Sequence, residues 1–487
     1  MMARHNRSKS KSFSTHYFVN ILLFILYTAV SAMTLFITYK YNFLASKYLN
    51  LIFTVLLAAV FVLAAFLIIK NRAKMWTSVL LVIFTVISAL TFLGFNKFVN
   101  FIGTLNDSTK YSQVEMSIVV PKDSSIKDLE NIDEVEAPTQ SDGTNIDEFV
   151  KEIKADKSKS ITVNHVDSYA QAYNDLMSGS TKAIILNSAY SSLIEAQDKD
   201  FSKKVRTIYS HKIQTANKVE SNKKVDTNAF NIYISGIDTY GPINSVSRSD
   251  VNIIASINLK THKVLLTTTP RDAYVTIPDG GNNQKDKLTH AGIYGVQTSM
   301  KTLENLYNIN IDYYARLNFT SFLKLVDLLG GIDIYNDQAF TAHTNKDYTF
   351  EVGNVHLDSQ GALAFVRERY SLENGDNDRG KNQEKVITAI INKLASAKSV
   401  SKISSIANNL QDSIQTNMPI SDLMTIANTQ LDSGASFKVS SQAVTGTGST
   451  GELPSYAMPG ASLYMMQLDD ASVSDAADQI KDVLGGK

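Results

Sequence analysis

Six of the ten arginines in this 487-residue chain, Arg248, Arg271, Arg316, Arg367, Arg369 and Arg379, fall between residues 248 and 379, and the last hundred residues contain none. A guanidinium is a rigid, permanently charged fork that grips phosphate through two parallel hydrogen bonds, whereas lysine offers a mobile point charge. Arginine gathered in one stretch of a lysine-rich protein points to bound phosphate. Carboxylates accompany it in Arg248-Ser249-Asp250, Arg271-Asp272, Arg367-Glu368-Arg369 and Asp376-Asn377-Asp378-Arg379. Surface ion pairs of this kind are common and contribute little. That bland reading is weakest at Arg271, because residues 264–266 read as a buried strand and Pro270-Arg271-Asp272 lies just past its end. Along residues 364–369, alternation in an extended segment puts Arg367 and Arg369 on one face, where two guanidinium groups can meet one pyrophosphate.

A carboxylate beside these arginines repels phosphate unless a divalent cation lies between them, and Mg²⁺ typically takes one or two carboxylates together with phosphate oxygens. Asp238, where a strand over residues 230–237 gives way to Thr-Tyr-Gly-Pro, and Asp250 are the candidate ligands for Mg²⁺ (or Mn²⁺), although aspartates at strand ends also cap loops. No HExxH, Walker or nucleophile-elbow pattern competes. There is no cysteine, which excludes disulfides, thiolate metal sites and a thiol nucleophile.

The elements that must position these residues begin with three stretches free of charge, residues 17–39, 48–69 and 75–96, each of the roughly 20 residues that cross a bilayer core. Arg4, Arg7, Lys9 and Lys11 precede the first, and Lys70, Arg72 and Lys74 lie between the second and third, against only Lys40 and Lys47 in the first break. The positive-inside rule puts the tail and the second break in the cytoplasm, so the chain after about residue 96 is outside. No ATP pool exists there, and an enzyme in that place needs a substrate that arrives already activated, such as a lipid-linked pyrophosphate. Lys+Arg and Asp+Glu both total 47, giving no overall field to attract nucleic acid.

Residues 1–16 form a cytoplasmic tail and 17–98 a three-helix membrane anchor. Residues 99–214 read as a small α/β accessory domain, with strands near 114–120, 161–163 and 183–186 and a helix over 169–177. Its charged stretches 128–136 and 151–159 read as solvated loops. Residues 215–228 are polar and aperiodic, a linker, and 229–487 form the domain that carries the arginines. Within it residues 423–431 and 476–484 have helical spacing, and the Gly/Ser-rich stretch 445–452 reads as a surface loop.

At these residues the chain closely resembles the LytR-CpsA-Psr family, in its streptococcal form with three spans and an accessory domain. The resemblance is carried by Ile234-Ser-Gly-Ile-Asp238, Ser247-Arg248-Ser-Asp250-Val-Asn252, Thr269-Pro-Arg271-Asp272, Lys287-Leu-Thr-His290-Ala-Gly-Ile-Tyr-Gly295, Asp327-Leu-Leu-Gly-Gly-Ile332 and Val366-Arg367-Glu-Arg369. It implies an α-β-α domain with a central mixed sheet, a hydrophobic pocket for a polyprenyl chain, and phosphotransfer of a capsular or teichoic-acid-like glycan from polyprenyl pyrophosphate to peptidoglycan. Carried over residue by residue, Asp238 and Asp250 would hold Mg²⁺, Arg248, Arg271, Arg367, Arg369 and Arg379 would bind the phosphates, and Gln383 would orient the head group. The motifs name no general base, though Asp272 and Asp376 stand near them. The widespread Asp-Phe-Gly-Arg motif stands here as Asp376-Asn-Asp378-Arg379, which leaves open which aspartate corresponds. The resemblance further implies a multi-pass protein of a Gram-positive cell membrane, with the membrane and other capsule-assembly proteins as partners. Two rivals remain: a membrane-bound regulator of capsule or wall genes, for which the short cytoplasmic segments are poorly suited, and a polyprenyl-pyrophosphate hydrolase using the same arginines with water.

Overall fold

The computed structural model describes residues 15–107, 109, 111–216, 225–237, 243, 245–395 and 414–487. These form two compact units, Met1–Gly103 with Pro419–Gly434, and Thr104–Met418 with Ala435–Lys487.

In the first unit the apolar runs become the helices Thr15–Lys40, Leu49–Ile69 and Lys74–Asp107, each long and apolar enough to cross a membrane. Leu22, Val62 and Leu90 point outward, while Tyr27, Leu57, Val60, Ala64 and Leu81 pack between the helices. Polar groups find partners inside the bundle, as a solvent that offers no hydrogen bonds demands. The Tyr27 hydroxyl donates to the Leu57 carbonyl at 2.6 Å, and Thr34 Oγ1 donates to the Ser88 carbonyl at 3.0 Å. The helix Ile420–Ser433, which chain order assigns to the C-terminal domain, belongs to this unit instead. Its Asn428 accepts from Ser46 N at 3.1 Å and donates to the Asn42 carbonyl at 2.8 Å, and its Asp432 accepts from Ser46 Oγ and Lys47 N. Those bonds satisfy a loop in which Asn42, Leu44, Lys47 and Tyr48 all have positive φ.

The second unit opens with a five-stranded sheet in the order Thr162–His165, Glu134–Ala137, Ile184–Asn187, Tyr111–Pro121, Val205–Ala216. Two expected loops are regular structure here. Glu134–Ala137 is a strand with Val135 and Ala137 fully buried, and residues 151–157 close the helix Gly143–Lys157. Its Ile146, Phe149 and Ile153 make an apolar stripe at helical spacing that the surrounding charge conceals. Val205–Ala216 runs two residues into the expected linker.

The central sheet has six strands in the order Ile414–Thr416, Tyr313–Asn318, Ala229–Ile237, Ser249–Asn258, Lys263–Thr268, Lys438–Ala443. Two of its five pairings are parallel, Tyr313–Asn318 with Ala229–Ile237 and Lys438–Ala443 with Lys263–Thr268. Alternation along the strands sends Tyr233, Ile254 and Leu265 to a core shared with the helices Val296–Tyr307 and Asp470–Leu484. Ile253, Ala255, Val264 and Leu266 face Ile387 and Ile391 of the helix Asp376–Ala395. The result is the expected α-β-α arrangement around a mixed sheet. Two local expectations fail. Residues 364–367 are not extended but end the helix Ser359–Arg367, whose N-cap Asp358 accepts from Gly361 N at 2.6 Å; four buried residues in a row, Ala362 to Phe365, suit a helix enclosed on most sides. The stretch 445–452 contains the strand Gly446–Thr450, paired with Tyr464–Leu468.

Candidate active site

The strands Ser249–Asn258 and Lys263–Thr268 are antiparallel, so the start of one lies beside the end of the other, with Arg248 and Asp250 next to Arg271 and Asp272. Backbone bonds fix both ends. Thr269 N donates to the Asn252 carbonyl at 3.0 Å, Thr289 N to that of Arg271 at 2.9 Å, and Met466 N to that of Asp272 at 2.8 Å. Between Arg248 and Asp250, the buried Ser249 hydroxyl lies 2.8 Å from the Tyr233 hydroxyl and 3.0 Å from that of Ser235, and its carbonyl accepts from Asn252 Nδ2 at 2.9 Å.

The segment leading into Arg248 is held from three more directions. Val246 N donates to the carbonyl of Gln113, in the long strand of the accessory sheet, at 3.2 Å, and Val246, Ile293, Ala457 and Met458 join the accessory domain's core. The accessory domain therefore shares packing with the site's support. Arg316 is only 3% exposed; its guanidinium donates to the carbonyls of Ser245 at 3.1 Å and Ile243 at 3.5 Å, away from the other arginines. Gly292 packs so closely that a Cβ there would come within 2.6 Å of Ser247 O and Ser249 N.

Arg271 is the hub of the cluster. Its Nη1 lies 2.7 Å from Asp250 Oδ1 and its Nε 3.5 Å from Asp272 Oδ1. Lys287 Nζ meets Asp272 Oδ1 at 2.5 Å, and Thr289 Oγ1 donates to Asp250 Oδ1 at 3.0 Å. Burial alone would raise the pKa of both carboxylates, but the cations outweigh it and hold them below the usual range: Arg271, Arg248 and Arg379 for Asp250, and Lys287, Arg271 and Arg379 for Asp272. The helix Asp376–Ala395 brings the remainder, with Arg379 Nη2 2.5 Å from Asp376 Oδ1. Asp376 differs from the other two. Burial, joined by repulsion from Asp272, raises its pKa in spite of Arg379, Arg271 and Arg369.

The two aspartates of Asp376-Asn377-Asp378-Arg379 thus separate by environment. Asp378 turns to the chain around it, accepting from Asn374 N at 3.0 Å and from Gln338 Nε2 at 3.2 Å and pairing with Lys381 at 3.0 Å. Burial would raise it, yet these partners bring it down to about 2. Arg369 acts electrostatically on Asp376 and Arg379, with its guanidinium over the exposed Tyr370 ring. Arg367 lies over the Phe319 ring, 4.3 Å from its centroid, and Gln383 Nε2 donates to the Val366 carbonyl at 3.3 Å, beside the end of the arginine-bearing helix. Glu368 between the two arginines is 1% exposed and accepts from the backbone N–H groups of His343, Arg369 and Ser371.

Asp238 lies outside the described residues. Among the described residues no group of three or more His, Cys, Asp or Glu side chains is arranged to hold a metal ion. Asp250 fits Mg²⁺ chemistry in kind, as an ionised carboxylate at the edge of the arginine cluster, but its Oδ1 is already engaged by Arg271 and Thr289. Lys287 and Thr289 were not among the expected site residues, although both stand in the Lys287-Leu-Thr-His290 motif. Nor was Glu384, whose Oε1 accepts from Thr268 Oγ1 at 2.5 Å.

The LytR_cpsA_psr family model matches residues 193–474, more than half of the chain. This chain belongs to the LytR-CpsA-Psr family. The polyisoprenyl-teichoic acid–peptidoglycan teichoic acid transferase TagU of Enterococcus faecalis is 33% identical over 283 residues, covering 56% of this chain and 88% of the relative. The enzyme of the same name from Oceanobacillus iheyensis is 31% identical over 273 residues, covering 55% and 78%. Among solved structures, Bacillus subtilis TagV shares 25% identity over 54% of this chain and 99% of that one, at a TM-score of 0.46. A model described as DNA polymerase processivity factor matches residues 71–186; that stretch crosses the boundary between the two compact units and so marks no single folded body. All six motifs that pointed to the LytR-CpsA-Psr family lie inside the matched region.

Proposed function

We propose that this chain transfers a capsular or teichoic-acid-like glycan from a polyprenyl-pyrophosphate carrier to peptidoglycan on the outer face of the membrane. The observation that carries the reading is the convergence of Arg248, Arg271, Arg369, Arg379 and Lys287 on Asp250, Asp272 and Asp376, a surplus of two positive charges where strand ends meet. A pyrophosphate diester carries two negative charges, so the donor balances that surplus. In the reaction, a peptidoglycan hydroxyl oxygen forms a bond to the glycan-linked phosphorus, the anhydride P–O bond breaks, and polyprenyl phosphate leaves with the bond's electron pair. The arginines stabilise charge on the leaving phosphate and hold the donor oriented, most of what phosphoryl transfer requires.

The acceptor's proton needs a base, and Asp376 suits that role better than Asp272. A raised pKa brings a carboxylate nearer the operating pH, whereas Asp272 is held ionised and occupied by Lys287 and Arg271. Mg²⁺ held by Asp250 and Asp238 would add charge neutralisation at the phosphates. A second observation favours an integral-membrane setting, since three apolar helices precede the site's domain, and the cysteine-free sequence permits single-cysteine labelling to test an inside tail and an outside C-terminus.

The test is the full-length protein in detergent with labelled polyprenyl-pyrophosphate oligosaccharide and peptidoglycan, comparing wild type with Arg271→Ala. Label entering the wall polymer with wild type and lost in the variant is the expected result. Phosphate release that does not depend on acceptor would replace this reading with a hydrolase, and no turnover of an authenticated donor would remove the enzyme reading.

A further inference from the structure

Past the arginine cluster, the helix Asp376–Ala395 has a second working side. Glu384, Lys385 and Asn392 line an open groove of about 410 Å³, bounded opposite by Asp333, Tyr335 and Asp337. Its chemistry contrasts with that of the cluster. Its two lysines are paired locally, Lys385 with Asp337 at 2.5 Å and Lys381 at the margin with Asp378 at 3.0 Å, and Asp333 Oδ1 lies 2.6 Å from His356 Nδ1. Such a groove has no cationic surplus for phosphate and suits a polar ligand with little net charge.

The strand Ile332–Asn336 explains the groove's shape. Alternation buries Ile332, Ile334 and Asn336 and leaves Asp333 and Tyr335 outward, with Tyr335 60% exposed. An aromatic face beside carboxylate, amide and hydroxyl groups matches a sugar ring, which has apolar C–H faces and a rim of hydroxyls that donate and accept. The groove also adjoins the cluster. Glu384 accepts from Thr268, the last residue of the strand that leads to Arg271, and lies five residues beyond Arg379, about 7.5 Å along the helix axis.

We propose that this groove is the acceptor subsite, binding a saccharide segment of peptidoglycan so that its hydroxyl reaches the phosphorus held by the arginines. The assignment rests on the transferase reading for the identity of the saccharide. Tyr335 and Asn392 are both exposed, so their substitution does not threaten the fold.

The experiment titrates the full-length protein with the soluble disaccharide-peptide released from peptidoglycan by muramidase and, separately, with inorganic pyrophosphate. Tyr335→Ala and Asn392→Ala are expected to weaken binding of the fragment at least tenfold, Tyr335→Phe to bind it as wild type does, and all three to bind pyrophosphate unchanged. In the transfer assay the acceptor KM rises while kcat stays within twofold. Equal fragment affinity in wild type and Tyr335→Ala, or no fragment binding to wild type at millimolar concentration, overturns the subsite. Fragment binding that depends on Tyr335 in a wild-type protein without transfer activity would uphold the saccharide site and overturn the transferase reading.

Discussion

Replacing Asp376 and Asp378 one at a time by asparagine separates chemistry from stability within one turn of one helix. Asp378 is brought from an ordinary value of 3.8 down to about 2 by Asn374, Lys381 and Gln338. At about 1.36 kcal/mol per unit, that depression contributes about 2 kcal/mol of stability at neutral pH. A depressed carboxylate contributes fully above its unfolded value and loses the contribution as pH falls through its folded value, so the effect is present above about pH 4 and fades toward pH 2. Asp378→Asn should therefore lower Tm by about 3 °C at pH 7, with the gap from wild type closing in acid, and leave transfer at low temperature largely intact. Asp376 has the opposite sign. Burial and Asp272 raise its pKa, so its ionised form is a strain on the fold that asparagine relieves. Asp376→Asn relieves that strain but leaves Arg379 without its carboxylate partner, so Tm should move less than in Asp378→Asn, while the transfer rate falls by about 10² to 10⁴, the contribution of a general base. Thermal unfolding in detergent and the labelled-donor assay read both quantities. Equal losses of rate in the two variants, or a wild-type rate in Asp376→Asn, would refute the division of roles.

If Asp376 is the base, the acid limb of the rate profile sits above the ordinary carboxylate range, because activity is lost as pH falls through a raised pKa; a limb near pH 4 sinks the assignment. Arg316→Met strips the Ser245 and Ile243 carbonyls of their donor and should cut the rate with Arg248 present, yet have little further effect in an Arg248→Ala background; additive losses in this double-mutant cycle would deny that Arg316 acts through Arg248. Gly292→Ala forces a Cβ against the backbone of residues 247–249 and should reduce pyrophosphate affinity more than tenfold, and unchanged affinity would mean that the Arg248 segment yields freely. Glu368→Gln removes the charge from a carboxylate holding three backbone N–H groups, with an expected stability loss of about 2 kcal/mol in urea unfolding and weaker donor binding through Arg369.

What the sequence reveals of this molecule follows from the range of the signals. The three apolar helices are legible because each declares itself within about 20 residues, and the strands at 230–237 and 264–266 because a buried run beside a turn is a local pattern. The helix Gly143–Lys157 was missed because its apolar stripe is diluted by lysine and aspartate, and Ser359–Arg367 because a short buried helix and a strand share the same apolar run. Arginine clustering found Arg248, Arg271, Arg369 and Arg379 together, but composition alone gave no reason to separate Arg316, which reaches backward into the fold, or to add Lys287 and Glu384, whose roles depend on partners distant in the chain.

The carboxylates also explain how a cluster of cations can form before its ligand arrives. Arg379 is buried enough for its pKa to be pulled down, and Arg271 and Arg369 both repel it, so without Asp376 and Asp250 the arginines would drive one another apart. Desolvated like charges are tolerated only when paired. Asp250 and Asp272 hold Arg271, and Asp376 holds Arg379, keeping each guanidinium within the cluster. The same contacts compete with the donor, and a pyrophosphate entering the cluster must loosen at least one of them. Asp376 is the one to release, since its ionised form is the least favoured of the three carboxylates. In the proposed reaction, donor binding to Arg379 would then free the carboxylate proposed as base, linking occupation of the arginine cluster to the appearance of that base.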